Sequence, residues 1–155
     1  MEKSIVIHSG LAWETWQPDS LYTTGLGGSE IWAIRLAECL ANSNKVIVFG
    51  PMENQIHNKV QYKNLKDWDT YQEAIDILII SRYPQFLQHN KSVKKTLLMV
   101  HDIFPIQDNG QTKHYIECGK LDVVICLSTW HRDFVANYCK IDKERIRVIG
   151  NGIDI

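Results

Sequence analysis

The chain has 155 residues, of which 45% are hydrophobic and 23% are charged, and its formal net charge is −1. This length suffices for one domain that buries roughly 70% of its unfolded surface, and the composition is typical of a globular protein. A net charge this close to zero excludes a general basic field, so nucleic acid is not an expected partner.

The cysteines and the N-terminus indicate the compartment. Cys39, Cys118, Cys126 and Cys139 contain no C-x-x-C pair, and two of them lie within apolar segments. This pattern favours free thiols in a reducing compartment over disulfides or a zinc site. We see no signal peptide and no long apolar span. We therefore expect a cytoplasmic protein, and contact with a membrane surface stays open.

The first part of the chain predicts a strand and a long loop. Ser4–His8 is a short apolar run typical of a buried strand, and residues 9–24 form a loop that carries Trp13, Trp16 and Tyr22. Loops of this length are unusual within a compact domain and are often functional. The aromatic residues either stack on a ligand or fold back into an apolar cluster.

A glycine-rich segment leads into the first predicted helix. Glycines at positions 25, 27 and 28 allow a tight turn and a close approach of a ligand to the backbone. Ser29 is a favourable N-cap, and apolar residues then recur at helical spacing up to residue 41. A helix N-terminus of this kind can hold a phosphate, or the glycines can simply lead the chain into the helix.

The rest of the chain alternates apolar runs with helix-like segments. Strands are predicted at residues 45–49, 75–80, 96–100, 123–127 and 145–149, with a short edge strand at 60–62. Helices are predicted at residues 83–90 and 111–120 and after Ser128 or Thr129, with a short helix or turn at 67–74. Continuous apolar runs are typical of parallel strands covered on both faces. The sequence therefore predicts an α/β fold: a Rossmann-like, doubly wound, mostly parallel sheet with helices on both faces.

Polar residues follow several of these strands. Ligands of open parallel sheets bind beyond the carboxyl ends of the strands, so these residues and the glycine loop predict one cleft. His101 directly follows an apolar run and precedes Asp102; a histidine there can contact a hydroxyl, transfer a proton or only satisfy loop carbonyls. The other residues at strand ends that we expect to contribute are Ser9, Arg82, Ser128 and Thr129.

Three familiar motifs do not fit. The glycine segment has Glu30 where a dinucleotide fingerprint has its last glycine, and it lacks the Lys and Ser or Thr of a P-loop. The D-x-D at residues 67–69 matches the motif of metal-dependent sugar transferases, but it does not follow a strong strand, so chance explains it better. We expect no metal site.

Four short segments follow one another along the chain, and their order carries a family resemblance. They are Gly27-Gly28-Ser29-Glu30 at a helix start, Val100-His101-Asp102 at a strand end, residues 124–132, and residues 141–154. Together they resemble the N-terminal half of retaining glycosyltransferases of the GT-B fold, in glycosyltransferase family 4. The usual family ending is close to I-x-V-I-P-N-G-V-D, and here Gly150 replaces the proline.

The resemblance implies roles for these residues. Gly27, Gly28 and Ser29 would lie near the diphosphate of a nucleotide-sugar donor. His101 and Asp102 would be the catalytic residues, with His101 as a positioning and charge-stabilising group. The acceptor side would comprise Ser9, Arg82, Ser128 and Thr129. We expect no cofactor; the nucleotide sugar would be the donor substrate and would react with a hydroxyl-bearing acceptor.

The resemblance also implies a domain division. Residues 1–149 would be the N-terminal, acceptor-side domain, and residues 150–155 would begin the crossover to a C-terminal donor-binding domain that this sequence lacks. Such a half should have little transferase activity, and the face it exposes could drive self-association. The alternative is a stand-alone, non-catalytic module of the same fold that binds a sugar or a protein. An NAD-dependent oxidoreductase is disfavoured by the failed fingerprint.

Overall fold

The computed structural model describes residues 2–23 and 25–150. The strands are β1 (Ser4–His8), β2 (Lys45–Gly50), β3 (Gln55–His57), β4 (Val60–Asn64), β5 (Ile75–Ser81), β6 (Val93–Met99), β7 (Val123–Cys126) and β8 (Ile146–Val148). The α-helices are α1 (Ser20–Thr23), α2 (Gly28–Leu40), α3 (Gln111–Glu117) and α4 (Thr129–Cys139). Short 3₁₀ helices span Leu65–Asp67, Pro84–Leu87 and Lys143–Arg145.

The strands form an eight-stranded sheet in the order β3-β4-β2-β1-β5-β6-β7-β8. The pairs β1–β2, β2–β4, β6–β7 and β7–β8 are parallel, whereas β3 pairs antiparallel with β4. The Rossmann-like α/β class with a mostly parallel sheet is thereby confirmed. By its internal contacts the chain divides into unit 1, Met1–Ile79 with His89–Lys94, and unit 2, Ile80–Gln88 with Lys95–Ile155.

The centre of unit 1 is the β1–β2 pair, whose register runs from Ser4 opposite Lys45 to His8 opposite Phe49. Successive side chains of a strand point to opposite faces of the sheet. Val6 and Ile7 are adjacent and both 0% exposed. Both faces of β1 are therefore covered, as its continuous apolar run predicts.

The long loop of unit 1 divides its aromatic residues between core and surface. Trp16 is buried and meets Tyr62 edge-on, with ring centroids 6.5 Å apart. Trp13 and Tyr22 are exposed. One aromatic side chain of this loop thus folds back into the core, and stacking of the exposed Trp13 and Tyr22 on a ligand stays a prediction.

The edge of the sheet in unit 1 differs from the prediction. The strand predicted at 60–62 is β4, which is not an edge strand because it lies between β2 and β3. The hairpin joining β3 to β4 turns at Asn58 and Lys59, which have φ values of 47° and 67°. Two-residue hairpin turns with positive φ favour sequences such as Asn-Gly. Because Lys59 stands where glycine is usual, the sequence does not indicate this hairpin.

Unit 2 lacks the helix predicted at residues 83–90 and has only the 3₁₀ helix Pro84–Leu87 there. Proline suits the first turn of a helix because its missing N–H is not needed. Gln88, with φ −78° and ψ 78°, then leaves the helical region and ends the segment after one turn. The helix predicted at 111–120 is confirmed as α3, preceded by the buried Asp108, which accepts a 2.9 Å hydrogen bond from Thr112 N–H.

Helix α4 exposes aromatic residues along one side. Trp130, Phe134 and Tyr138 are four residues apart and exposed, whereas Val135 lies on the buried side. Phe104 stacks on Tyr138 with ring centroids 4.9 Å apart.

All four cysteines are free. Cys126 and Cys139 are buried, and desolvation raises the pKa of each thiol to about 12. Cys39, although it lies in an apolar segment, is exposed, as is Cys118. No helix within residues 2–23 and 25–150 has the length and apolar character needed to cross a membrane.

His8 makes the stability of unit 1 depend on pH. Its ring is 0% exposed and meets Trp68 edge-on, and desolvation lowers its pKa from 6.5 to about 3. Between these pH values the unfolded chain binds a proton at His8 that the folded chain does not, so the free energy of unfolding falls as the pH falls from 6.5 toward 3.

Replacing His8 should reduce this pH dependence. In urea titrations from pH 7 to pH 4, His8→Leu should lower the slope of unfolding free energy against pH by up to about 1.4 kcal/mol per pH unit.

The control for this prediction is His114→Leu, which replaces an exposed histidine of α3. That variant should keep the pH dependence of the parent protein. Equal slopes for His8→Leu and the parent would show that the buried imidazole does not titrate in this way.

Candidate functional site

The site in unit 2 is set by the parallel pairing of β6 and β7. Met99 lies opposite Ile125, and Val100 N–H donates a 2.9 Å hydrogen bond to the carbonyl of Ile125 just beyond the end of β6. Parallel strands that end at the same level bring the residues after them together. The segments starting at His101 and at Leu127 therefore leave the sheet side by side.

An open hollow of about 220 Å³ lies between these two segments. Its lining residues are His101, Asp102, Ile103, Leu127, Ser128, Trp130 and His131. Three of the residues predicted from the sequence, His101, Asp102 and Ser128, thus share one hollow. Thr129, also predicted, is the exposed first residue of α4 and is not in this lining.

Arg82 reaches this hollow through an ion pair. Its Nε lies 3.0 Å from one carboxylate oxygen of Asp102, and its Nη2 lies 3.4 Å from the other. The Nε contact is an ion pair and the Nη2 contact is a long hydrogen bond, and together they offset the charge of the carboxylate and restrict its orientation. Arg82 is therefore placed to orient Asp102, and both residues are partly exposed.

The backbone of Arg82 is itself unusual. It has a φ of 67°, the left-handed region, while its N–H donates to Met99 O and its carbonyl accepts from Ile106 N–H. A non-glycine residue pays for this conformation because its Cβ crowds the backbone. Such strain often accompanies functional positions.

Helix α4 begins at the hollow with a well-formed cap. Ser128 Oγ accepts a 3.1 Å hydrogen bond from His131 N–H, which confirms the predicted capping residue. The ring of His131 turns back, and its Nδ1 accepts a 3.3 Å hydrogen bond from Leu127 N–H. Sequence reasoning missed His131 as a site residue; its position three residues after a serine cap, in the first helical turn, was the available signal.

The glycine loop lies in unit 1, at the start of α2. Gly27, not Ser29, is the N-cap, so the predicted cap is wrong. Ser29 lies inside the first turn, buried, and its hydroxyl donates a 2.9 Å hydrogen bond to the Glu30 carboxylate. The N-cap residue, a glycine, makes no side-chain capping hydrogen bond.

Each glycine of the loop has a different environment. A Cβ added to Gly27 would collide with the Glu30 carboxylate, whereas one added to Gly28 would meet no atom of another described residue within 4 Å, its chain neighbours and helix backbone aside. Gly28 therefore offers open backbone, and the Glu30 carboxylate stands beside Gly27. The expectation that this loop and the strand ends form one cleft stays a prediction.

Ser9 in unit 1 is held in place by the neighbouring strand. Its backbone N–H and its hydroxyl both donate to the carbonyl of Phe49, at 2.8 and 3.0 Å. A Cβ added to Gly50 would lie only 2.5 Å from this hydroxyl oxygen, so the two residues are closely packed. Its hydroxyl proton is thus engaged, and Oγ keeps a lone pair for a ligand.

Two further features of unit 1 bear on metal binding. Asp67 of the D-x-D segment accepts a 2.7 Å hydrogen bond from the Asn54 side chain. Within residues 2–23 and 25–150, no group of three or more His, Cys, Asp and Glu side chains is placed to hold a metal ion.

A second hollow, of about 490 Å³, lies in unit 1. It is lined by Lys63, Asp67, Thr70, Tyr71, Gln72 and Glu73 and contains none of the predicted site residues.

The strain at Arg82 can be measured by comparing two truncations. Arg82→Ala and Arg82→Gly both remove the ion pair with Asp102, but only glycine accepts a positive φ without cost. Arg82→Gly should therefore be more stable than Arg82→Ala by about 1 kcal/mol in urea unfolding.

The control pair is at Lys113, an exposed residue of α3. At Lys113 the alanine variant should be more stable than the glycine variant, since alanine in a helix is about 1 kcal/mol more favourable than glycine. If alanine is also the more stable residue at position 82, the backbone there is not strained.

Comparison with known proteins gives one family. The model of Glycosyltransferase Family 4 matches residues 63–155, which is more than half of the chain and includes every residue lining the unit 2 hollow. No curated protein gives a significant match. The family match and the α/β fold agree with the motifs at His101 and Ser128. The chain therefore belongs to Glycosyltransferase Family 4.

Proposed function

We propose that this chain is the N-terminal, acceptor-side half of a retaining GT-B glycosyltransferase. The complete protein would move a sugar from a nucleotide-sugar donor to a hydroxyl group of an acceptor. The observation that carries the proposal is the grouping of His101, Asp102 and Ser128 in one hollow inside the region that the family model matches. A glycosyltransferase-type function follows from the family. Retention of configuration and the nature of the donor and acceptor are our inference.

In the proposed reaction the acceptor hydroxyl lies in the unit 2 hollow. The bond between the donor sugar and its diphosphate breaks, a bond from the acceptor oxygen to the same face of that sugar forms, and the departing diphosphate takes the hydroxyl proton. His101 then contributes by positioning the reacting groups and stabilising charge. Arg82 fixes Asp102, so that its carboxylate can accept a hydrogen bond from a hydroxyl.

The donor diphosphate is proposed to contact the start of α2. The first-turn N–H groups of a helix have no partner within the helix and receive no side-chain cap from Gly27, and the open space at Gly28 allows a phosphate to approach. The Glu30 carboxylate beside Gly27 repels an anion, so approach from the Gly28 side is favoured. Ser29 would act through its backbone, because its hydroxyl is bonded to Glu30.

The remaining parts of the proposal concern partners and place. Ser9, Arg82, Ser128 and Thr129 would form the acceptor side, without a resident metal. A donor-binding domain would follow the crossover at residues 150–155, of which 151–155 lie outside the described residues. We propose a cytoplasmic enzyme whose contacts include the acceptor, the nucleotide sugar and, for a lipid acceptor, a membrane surface.

The chain on its own should be inactive. In the proposed enzyme a second domain encloses the donor and excludes water from the reacting groups, and the 155-residue chain by itself would not provide that enclosure. Incubated with common nucleotide sugars and simple glycosides, the 155-residue chain should release nucleoside diphosphate no faster than a protein-free blank. Robust transfer by this chain alone would refute the proposal that transfer requires a second, donor-binding domain.

His101 should matter in the full-length protein. Loss of a positioned, charge-stabilising donor lowers kcat by about 100-fold or more, so His101→Ala should show a decrease of that order in a transfer assay. His114→Ala, at an exposed histidine of α3, is the matched control and should retain full activity. Unchanged transfer by His101→Ala would remove this residue from the mechanism, and no transfer by the full-length parent protein would favour a binding module.

A further inference from the structure

We propose that the unit 2 hollow binds one sugar ring of the acceptor and that His131 donates a hydrogen bond to it. The assignment of that sugar to the acceptor rests on the proposed function. The binding itself does not, because it depends only on the hollow and its lining side chains. The inference thus names both a substrate class, a glycan or glycoside acceptor, and a further binding residue.

The first support is the protonation of the His131 ring. Nδ1 accepts a hydrogen bond from Leu127 N–H, so in the neutral imidazole the proton is on Nε2. His131 is only 5% exposed, and Nε2 has no hydrogen-bond partner within the described part of the chain. A buried donor without a partner is costly and rare in folded proteins, and here it belongs to a side chain that lines the hollow.

The second support is the mixed chemistry of the lining. Asp102 supplies acceptor oxygens, His101 and His131 supply ring nitrogens, and the first turn of α4 adds the positive end of a helix dipole. Ile103, Leu127 and Trp130 supply apolar surface between these groups. A sugar ring has the matching pattern, with hydroxyl groups at its edge and C–H bonds on its faces.

Charge distinguishes a sugar from a phosphate in this hollow. The α4 N-terminus by itself would favour an anion. The Asp102 carboxylate, however, lines the same hollow and stays partly exposed in spite of its ion pair with Arg82. A phosphate would be repelled by this carboxylate, whereas a neutral hydroxyl can donate to it.

The size of the hollow limits what can enter. Pockets for drug-sized ligands are about 300–1,000 Å³, and this one is about 220 Å³. It therefore suits a single ring rather than a complete nucleotide sugar. Trp130, 64% exposed, stands at its rim and can contact the face of the ring or of the next unit.

The test uses two amide variants of His131 in the 155-residue chain. Asparagine places its amide near the position of Nδ1, so His131→Asn can keep the bond from Leu127 N–H while losing the Nε2 donor. Glutamine places its amide N–H near the position of Nε2, so His131→Gln keeps the donor. Binding of a panel of methyl hexopyranosides, and separately of inorganic phosphate, is followed by ligand-observed NMR titration.

At least one glycoside should bind, and His131→Asn should weaken its affinity about tenfold, as expected for one lost hydrogen bond. His131→Gln should stay within about threefold of the parent protein, and His114→Asn, at an exposed histidine, should not change the affinity. A purely structural role of His131 would alter thermal stability without this order of affinities. Trp130→Ala, at an exposed rim residue, should also weaken binding, and it decides the matter if the His131 variants do not fold.

The proposal is overturned if no glycoside of the panel binds, if His131→Asn binds as well as the parent, or if phosphate binds in place of a sugar. None of these outcomes affects the transfer assay of the full-length protein with His101→Ala. Failure of the sugar site and failure of the proposed function can therefore be told apart.

Discussion

The candidate site depends on the register between two parallel strands. Because Met99 lies opposite Ile125, β6 and β7 end at the same level, and the polar residues beyond them meet. A slip of one residue would turn each side chain of a strand to the other face of the sheet. His101 would then no longer lie beside Ser128, whatever the chemistry of the two residues. The apolar runs that fix the sheet core thus also fix the geometry of the hollow.

Polar groups at this hollow are arranged so that most of them act on each other. Arg82 holds Asp102, Ser128 caps α4, and Leu127 N–H orients the His131 ring. Each contact removes freedom from a side chain before any ligand arrives, which lowers the entropic cost of binding. The strained backbone at Arg82 adds a local cost in stability at a residue whose guanidinium pairs with Asp102.

The sequence predicts what short-range chemistry decides. β1 and the Ser128 cap follow from a local apolar run and a local hydrogen bond, and both were predictable. The helix predicted at 83–90 is wrong because Gln88 leaves the helical region after one turn, and no residue type at that position marks the stop. The position of His131 in the first turn after the Ser128 cap is a local signal, but its burial and its bond from Leu127 arise only once α4 is folded against β7. Whether the glycine loop shares a cleft with the strand ends likewise depends on tertiary placement.

The four cysteines differ in a way that is useful beyond the question of catalysis. Thiol reagents attack the thiolate, which is scarce at Cys126 and Cys139 because both are buried and have a pKa of about 12. The accessible thiols are Cys39 in unit 1 and Cys118 in unit 2. The natural sequence thus carries one attachment point for a fluorophore or spin label in each unit, so spectroscopy on either half needs no engineered cysteine.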